Sequence, residues 1–297
     1  MSTAEVSSAR TGAAVRAGGP ASSVTHWIRF LRSELSLIFL RWRNLALLAV
    51  LAAIPVLIGV AVKLSTRGGG GNGGGPAFIG QVAGNGVFLG LASLTVLLTL
   101  VLPLVIAVVA GDSVAGEAGH GTLRYLLTIP AGRTRLLGIK FTALVIFCVA
   151  ACAVITVAAL IVGAVLFPVG PVTLLSGTSI SLGAGLLRLA FVALYVAAAM
   201  AALAAIGLAV STFTEHPIGA IAAIMVLAVG SEVADSVPQF AAVGPYLPTH
   251  FWLSFDALLR SPIAWQDLAH GLVSFGIYVI IFGAVGWARF TTADVTS

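Results

Sequence analysis

Residues that could carry out chemistry are few in this chain and lie far apart. Cys148 and Cys152 are four positions apart, which places them on one face of the helix predicted there. Neighbours on one helix have poor geometry for a disulfide, and two thiols alone do not make a metal site, so both are interpreted as packing residues. His250 and Asp256 come closest to a catalytic pair, but catalysis at membrane depth would need paired Asp or a Ser–Lys or His motif. The sequence therefore predicts neither an enzyme nor a metal site.

Nucleotide chemistry is not expected of this chain either. The glycine-rich stretch 65–76 is not followed by Gly-Lys-Ser or Gly-Lys-Thr and does not join a strand to a helix, as a phosphate-binding loop does. The same motif is missing from the rest of the sequence. We therefore predict that the chain binds no cofactor of its own, and we interpret residues 65–76 as a flexible exterior loop.

The elements that position the polar residues are long apolar segments. Charged residues make up 8 % of the chain and hydrophobic residues 59 %, whereas a soluble domain has about 25 % charged residues. Six runs approach the roughly 20 residues that a helix needs to cross a bilayer. Because strand alternation is missing, the predicted fold class is an all-α membrane protein with six transmembrane helices. The predicted spans are about 45–62, 87–110, 139–166, 186–210, 217–233 and 269–287.

The distribution of Lys and Arg predicts the orientation in the membrane. If the N-terminus is inside the cell, eleven of the fifteen Lys and Arg residues are cytosolic and four are exterior. Both termini are therefore predicted to be cytosolic, with a disordered tail at 1–24, one transmembrane domain at 25–290 and a short C-terminal segment at 291–297. The net charge of +5 is therefore interpreted as a signal of topology. No basic face for nucleic acid is evident, so the expected partner is the lipid bilayer and not nucleic acid.

The segment before the first span has the pattern of an amphipathic helix. Between His26 and Arg43 the apolar residues recur at steps of four, four, three and four, and polar residues occupy much of the other side. This pattern predicts a helix along the headgroup boundary; a positively charged stop before the first span is the alternative. The apolar positions are Trp27, Leu31, Leu35, Ile38 and Trp42, and the expected interfacial anchors are Trp27, Arg29, Trp42 and Arg43.

A charged island, residues 111–135, lies between the second and third spans. Its centre places Leu123, Leu126 and Leu127 on one helix face and ends at Pro130, which cannot comfortably continue a helix. Glu117 lies in the helical lead-in. The basic residues that follow are expected to hold the next span at the cytosolic surface; they are Arg133, Arg135 and Lys140. The pattern indicates a short lever attached to a transmembrane helix, and an ordinary connector is the alternative.

This island resembles the cytosolic region of the type-2 ABC exporter permease family. The shared pattern is a Glu, then Gly-Thr-Leu, Leu-Leu, a Pro, an Arg and a Lys that opens the next span. The matching positions are Glu117, Gly121, Thr122, Leu123, Leu126, Leu127, Pro130, Arg133 and Lys140. The resemblance extends over about residues 25–290. It implies that residues 116–129 form a coupling helix that docks on a separate ATPase subunit, which holds ATP and Mg, and that a second permease copy completes the pathway.

Two other connections contain polar residues that could bind a partner. Glu215 and His216 lie in a short cytosolic turn, where they are interpreted as solvated residues rather than as a second ATPase contact. The stretch 230–270 is exterior and mixes aromatic residues with prolines. The resemblance implies short re-entrant helices there that close an outer gate, whereas an aromatic loop resting on lipid is the alternative. The candidate gate residues are Tyr246, Pro248, His250 and Trp252.

Ionisable residues within the predicted spans bear on the energy source. The five predicted spans other than the fourth have no ionisable residue in their middle regions. Arg188 lies within the fourth span near its outer end, where it is expected to reach water. An ion-coupled carrier generally needs buried carboxylates or broken helices at mid-membrane. Pro55 and Pro103 offer kinks but no acidic partner accompanies them, so an external energy source is favoured over a secondary transporter. A non-transporting membrane partner is a further alternative. The small apolar residues of the spans suit an amphipathic cargo such as a drug or antibiotic, and the expected location is a bacterial plasma membrane. The candidate polar positions on the pathway are Ser93, Thr95, Thr99 and Thr156.

Overall fold

The computed structural model describes residues 20–67, 77–119, 133–174 and 176–292, and helices dominate all four ranges. One antiparallel strand pair joins Val172 to Ile180 and Thr173 to Ser179. The helices are α1 (Pro20–Leu40), α2 (Trp42–Arg67), α3 (Ala77–Gly84), α4 (Phe88–Thr99), α5 (Val101–Gly119), α6 (Arg133–Leu166), α7 (Leu182–Ser211), α8 (Pro217–Ser236) and α9 (Trp265–Thr292). The strands are β1 (Val172–Thr173) and β2 (Ser179–Ile180), and the 3-10 turns between α8 and α9 are Pro238–Phe240, Gly244–Tyr246 and Ser254–Leu259.

The long helices confirm an all-α membrane protein. Five of them are long and apolar enough to cross a bilayer, namely α2, α6, α7, α8 and α9. They coincide with five of the predicted spans and extend a few residues further at their ends. The sixth predicted span, 87–110, is formed by α4 and α5 together, and the two helices are bent by 56°.

The bend in this sixth span follows from a proline. Leu100 separates the two helices and has non-helical backbone angles (φ −147°, ψ −48°). Pro103 has no N–H, and its ring collides with the carbonyl group four residues earlier in a continuous helix, which here is that of Thr99. The helix therefore ends at Thr99 and begins again at Val101. Pro55, by contrast, lies within α2, which continues through it.

The core is arranged around α7. In the most apolar 18-residue window of α7, 78 % of residues are buried, against 17 % to 39 % in the other four spanning helices. Its buried face is rich in alanine, and small residues allow neighbouring transmembrane helices to approach closely. Helices α5, α6, α8 and α9 all pack against α7. The largest buried side chains around it include Leu94, Leu97, Leu102, Ile106 and Phe147.

One close backbone contact requires two glycines. A Cβ added to Gly86, before α4, would collide with the carbonyl group of Gly163 in α6, and a Cβ on Gly163 would collide with that of Gly86. The amide of Gly86 donates to the carbonyl oxygen of Pro168 at 3.0 Å. Asn85 strengthens this contact, because its amide Nδ2 donates to the carbonyl oxygens of Gly170 and Pro171 at 3.0 and 2.9 Å.

The N-terminal helix differs in extent from the predicted one. α1 begins at Pro20, so residues 20–24 are helical and do not belong to a disordered tail. It ends at Leu40, and Trp42 is the first residue of α2. Trp42 is therefore not part of the apolar face of α1, and 83 % of its surface is exposed. The other four apolar positions are half-buried, and the Phe39 ring contacts the Phe147 ring of α6 at 5.6 Å.

The bundle has two chemically different ends. One end contains α1, the C-terminus of α5, the N-terminus of α6 and the turn between α7 and α8, and we call it the Lys140 end. The other end contains the β1–β2 hairpin and the 3-10 turns before α9, and we call it the hairpin end. Lys63 helps to close the hairpin end, because its Nζ donates to the carbonyl oxygen of Leu166 at 2.6 Å.

Candidate functional site

Lys140 is at the centre of a buried ion-pair cluster. Its side chain is 3 % exposed, and its Nζ lies 2.6 Å from Oε1 of Glu117 in α5 and 3.4 Å from Oε1 of Glu34 in α1. The expectation that Lys140 lies at the cytosolic surface is therefore wrong. It is the eighth residue of α6, about two turns from its start, and its neighbours Leu136, Ile139 and Leu144 are buried with it. Burial of a lysine is tolerated here because two carboxylates receive its charge.

A second ion-pair cluster connects α5 to the corner between α1 and α2. Oδ2 of Asp112 accepts hydrogen bonds from Nη1 of Arg41 at 2.5 Å and Nη2 of Arg43 at 2.7 Å. The Asp112 side chain is 10 % exposed, whereas each arginine side chain is 48 % exposed. Arg43, which the sequence predicts to be a membrane anchor, thus contacts a carboxylate of the bundle. A charge-assisted contact of this kind fixes the point at which α1 turns into α2.

The two clusters line one small polar cavity. Its volume is about 40 Å³, and its wall includes Glu34, Arg41, Asn44, Asp112, Glu117 and Lys140. Asn44 is buried, and its Nδ2 donates to the carbonyl oxygen of Ile38 at 2.9 Å, near the end of α1. Four helices therefore meet at this cavity through polar contacts, namely α1, α2, α5 and α6.

A glycine gives Asp112 the space to reach its partners. Gly116 is four residues after Asp112 in α5, and a Cβ at Gly116 would collide with the Asp112 carboxylate. With glycine at this position, the carboxylate can lie against its own helix while it accepts from Arg41 and Arg43. Any larger residue at position 116 is expected to displace that carboxylate.

Ser211 attaches the same part of α5 to α7. It is the last residue of α7 and is fully buried. Its Oγ accepts hydrogen bonds from the backbone amides of Val114 at 3.0 Å and Ala115 at 2.9 Å. These two amides lie between Asp112 and Glu117 in α5. Just before its end, α5 is therefore bonded to the α1–α2 corner, to α6 and to α7.

The segment predicted to couple to an ATPase is bracketed by this site. Gly121, Thr122, Leu123, Leu126, Leu127 and Pro130 lie outside the described residues. α5 ends at Gly119 and α6 begins at Arg133, and the Glu117–Lys140 ion pair joins the two helices near both ends of the intervening segment. The two predicted coupling residues whose side chains are described, Glu117 and Lys140, thus contact each other.

The turn between α7 and α8 also lies at the Lys140 end. Glu215 and His216 are both exposed there, and the amide of His216 donates to Oγ1 of Thr214 at 3.1 Å. Pro217 is the first residue of α8. A backbone N–H at this position would have no partner within the helix, so proline is tolerated there. The geometry is that of a short turn with both side chains exposed, and the interpretation of Glu215 and His216 as solvated residues stays a prediction.

The predicted gate residues lie at the hairpin end, and two of them are bonded to α8 and α9. His250 Nδ1 lies 2.7 Å from Oδ1 of Asp235 in α8, and the carbonyl oxygen of Tyr246 accepts from the Tyr278 hydroxyl of α9 at 2.5 Å. Pro248 lies in the turn between them. Trp252 is 4 % exposed, so its ring packs in the core rather than in the membrane interface.

Arg188 and Tyr195 of α7 hold the rest of this region. Nη1 of Arg188 donates to the carbonyl oxygens of Leu258 at 2.8 Å and Arg260 at 3.0 Å, and the Tyr195 hydroxyl donates to the carbonyl oxygen of Phe251 at 2.8 Å. Arg188 was expected to reach water, but its guanidinium instead satisfies backbone carbonyl groups. Residues 246–260 are therefore bonded to α7, α8 and α9.

Cys148 and Cys152 are buried in α6, free and packed in the core. In the part of the chain that the structure describes, no group of three or more His, Cys, Asp or Glu side chains is placed to hold a metal ion.

Several site residues were missed by the sequence analysis, notably Glu34, Asp112 and Ser211. Glu34 carried a detectable signal, because on a helix it lies beside Leu31, Leu35 and Ile38 rather than opposite them. A charged residue at the edge of an apolar face requires a partner. Asp112 and Ser211 carried no such signal, since they lie just beyond the ends of apolar runs, where polar residues are expected.

These features define a polytopic α-helical membrane protein whose buried ion pairs concentrate at one end of the bundle. The family model described as "ABC-2 family transporter protein" matches residues 39–231. The chain therefore belongs to the ABC-2 family of transporter proteins, which confirms the resemblance drawn from the segment between α5 and α6. The match begins at the end of α1 and includes both ion-pair clusters except Glu34.

Two similar proteins share one printed name, "Probable ABC transporter permease protein NosY". The protein from Pseudomonas aeruginosa is 46 % identical over 67 residues, which is 23 % of this chain and 24 % of that protein. The protein from Stutzerimonas stutzeri is 36 % identical over 95 residues, which is 30 % of this chain and 34 % of that protein. The alignments thus cover only about a quarter to a third of these relatives.

Proposed function

We propose that this protein is the membrane subunit of an ATP-driven exporter, and that a separate ATPase subunit moves it. The Glu117–Lys140 ion pair is the observation that carries the proposal. It joins the two helices that bracket residues 120–132, so a partner that docks on this segment displaces α5 and α6 together. A second permease copy completes the pathway, and ATP and Mg belong to the ATPase.

The proposed orientation places the Lys140 end in the cytosol. The Lys and Arg residues of the described ranges concentrate at that end, on α1, in the corner before α2, at the start of α6 and at the end of α9. The hairpin end has only Lys63, Arg67, Arg188 and Arg260 among the described residues. An excess of positive charge marks the cytosolic side of membrane proteins. The bacterial plasma membrane is the proposed location.

The contacts around α5 suggest how displacement spreads through the bundle. Asp112 connects α5 to the α1–α2 corner, and Ser211 connects it to α7. The bend at Leu100 divides the span of α4 and α5 into two rigid pieces, which gives α5 a place to hinge. In this mechanism α5 tilts about the bend, and the ion pairs transmit its movement to α1 and α6.

The proposed cargo is hydrophobic or amphipathic, such as a drug or antibiotic. Three of the four candidate pathway hydroxyls, those of Thr95, Thr99 and Thr156, donate to carbonyl oxygens of their own helices, and the fourth, that of Ser93, is fully buried. They therefore leave mostly apolar surface for a cargo. Among the described residues, the acidic side chains lie towards the ends of the bundle rather than at its middle, which favours an external energy source over ion coupling.

Docking is tested by co-purification with the cognate ABC ATPase. Leu126→Asp is expected to abolish recovery of the ATPase while membrane insertion is retained, because it places a charge on the proposed docking face. Glu117→Lys has the same expected effect, but it also breaks the ion pair with Lys140 and so tests docking less directly. Phe213→Asp, an exposed substitution in the α7–α8 turn, is the matched control. Undiminished recovery with Leu126→Asp would refute the docking assignment.

Orientation and energy source need separate measurements. Because Cys148 and Cys152 are buried, a cysteine introduced at Thr122 can be labelled with a membrane-impermeant maleimide against a low background. Labelling is expected only from the cytosolic side. Reconstituted transport is expected to require the ATPase and ATP. Uphill transport by this polypeptide alone, driven by an ion gradient, would replace the proposal with a secondary transporter.

A further inference from the structure

A long apolar groove follows α7 on the side between α6 and α9. Both helices pack closely on α7, but they contact each other little. The larger part of the groove has a volume of about 700 Å³. A second part of about 270 Å³ adjoins it at Val279 and continues to the Lys140 end. Ala201 lies on the floor of the first part and Ala205 on the floor of the second.

The groove wall is suited to hydrocarbon. Its rim consists of apolar side chains, including Leu194, Leu272 and Ile280, which are 56 %, 50 % and 71 % exposed. Its polar groups already have partners. The Tyr195 hydroxyl donates to a backbone carbonyl, and Nε1 of Trp287 donates to Oγ1 of Thr134 at 2.9 Å. A polar ligand would therefore find few groups to bind along the groove.

Two tryptophans mark the depth of the groove in the membrane. Trp265 lines one end of the groove and is 68 % exposed, and Trp287 lines the other end and is 47 % exposed. They are 22 residues apart on α9, about 33 Å at 1.5 Å per residue. This length matches a hydrocarbon core of about 30 Å, and indole rings favour both of its boundaries. The groove therefore runs through the hydrocarbon layer.

The two ends of the groove differ in charge. At the Trp287 end, Arg289 is exposed and lies 5.7 Å from the Phe213 ring, and Arg135 is near the start of α6. At the Trp265 end, Asp267 is exposed on α9, and Arg260 is paired with Asp256. An anionic headgroup is thus complementary to the Trp287 end and not to the other.

We propose that this groove binds a phospholipid of the surrounding bilayer, with one acyl chain between α6 and α9 and an anionic headgroup at Arg289. Lipid chains are as apolar as the side chains of the groove, so the chain binds through packing. The charge at the Trp287 end then selects the headgroup. This site is separate from the ATPase-docking segment and does not depend on its assignment.

Two glycines of α9 allow a direct test. Gly276 and Gly283 line the groove, and a Cβ at either position would contact nothing within 4 Å. Gly276→Leu combined with Gly283→Leu therefore fills the groove without disturbing the packing of α9. Gly230→Leu on α8 is the matched control, because a Cβ there also contacts nothing and Gly230 is exposed away from the groove.

The probe is phosphatidylglycerol or phosphatidylcholine with a photoreactive acyl chain, in vesicles that contain the full-length protein. Phosphatidylglycerol is expected to label the walls of the groove, and filling the groove is expected to reduce that labelling about tenfold, which corresponds to about 1.4 kcal/mol. Gly230→Leu is expected to leave labelling unchanged. Arg289→Gln is expected to remove the preference for phosphatidylglycerol over phosphatidylcholine.

Three results would overturn the proposal. The first is equal labelling of all exposed helix faces by both lipids. The second is labelling that persists after the groove is filled. The third is cross-linking of two copies of the protein through this groove, which would make it an interface between copies. Loss of ATPase recovery in the docking experiment has no bearing on any of these results.

Discussion

The side-chain nitrogen of Lys140 lies 2.6 Å from Oε1 of Glu117, and this contact spans a gap of 23 positions in the sequence. It brings together the end of α5 and the start of α6. Glu34 adds a weaker contact at 3.4 Å from α1. The two helices that bracket the predicted coupling segment are thus joined to each other by a buried ion pair and are not independent.

Breaking this cluster is expected to destabilise the protein strongly. Lys140→Met leaves two carboxylates buried without their cation, and removal of one partner from a buried ion pair costs about 3–5 kcal/mol. The Glu117→Lys, Lys140→Glu double variant is expected to recover part of the loss of each single variant, with a coupling of about 1–3 kcal/mol. Thermal unfolding in detergent measures both. Additive effects of the two substitutions would show that the residues do not interact.

Hydropathy was sufficient to predict most of the fold, but only part of the candidate site. Uninterrupted apolar runs fix the position of a transmembrane helix, because its backbone bonds are satisfied within the segment. For this reason the spans of α2, α6, α7, α8 and α9 are confirmed. The sequence indicates a kink at Pro103 and at Pro55 alike, since both lie in similar apolar runs, and it does not distinguish the broken span from the continuous helix α2.

The charged contacts show where the sequence was insufficient. Lys140 and Glu34 are 106 positions apart, and no local pattern relates them. Lysine near the start of a span ordinarily reaches the surface, so the sequence favoured an exposed Lys140. Its burial depends on Glu117 and Glu34, which approach it from two other helices.

The Asp112 cluster is expected to control the corner between α1 and α2. Asp112→Asn removes the charge that receives Arg41 and Arg43, and hydrogen bonds to charged groups contribute about 1.5–3 kcal/mol. Both arginines are half exposed, so the lower part of this range is expected. Trypsin cleavage after Arg41 or Arg43 should become faster. Asp267→Asn, at an exposed position on α9, is the control, and equal cleavage in both variants would contradict the prediction.

Ser211→Ala is expected to loosen α5 locally. The substitution removes the acceptor of the Val114 and Ala115 amides, and a buried polar group without its partner costs about 1–3 kcal/mol. Hydrogen–deuterium exchange should increase at these two amides. Thr212→Ala is the matched control, because the Thr212 hydroxyl bonds only to the carbonyl of Ala209 in its own helix. Unchanged exchange at Val114 and Ala115 in the Ser211 variant would rule out this role.

Pro103→Ala is expected to straighten the span that α4 and α5 form. Alanine restores the missing N–H and removes the collision with the carbonyl group of Thr99, so the 56° bend loses its local cause. Spin labels near Phe88 and Ser113 should then move apart, as measured by double electron–electron resonance. The same substitution at Pro55, within the continuous helix α2, should leave a corresponding distance in α2 unchanged. If the bend is the hinge for transport, ATP-driven transport should fall in the Pro103 variant alone.

Arg188 is expected to hold the region of the predicted gate closed. Arg188→Gln removes a guanidinium that donates to two carbonyl oxygens, those of Leu258 and Arg260. Hydrogen bonds from charged donors contribute about 1.5–3 kcal/mol each, and the carbonyl of Leu258 is left without this donor. Amide exchange across residues 246–260 should therefore become faster, and Trp252, which is 4 % exposed, should become accessible to a quencher.

Arg260→Gln is the matched control for this prediction. It removes a charge from the same region, but the Arg260 side chain is 55 % exposed and pairs only with Asp256 four residues earlier. Exposed pairs of this kind contribute about 0.3–0.5 kcal/mol, so exchange in the loop should change little. If both variants accelerate exchange equally, charge alone explains the effect. If only Arg188→Gln does, the loop is held by the hydrogen bonds that the Arg188 guanidinium donates to its carbonyl groups.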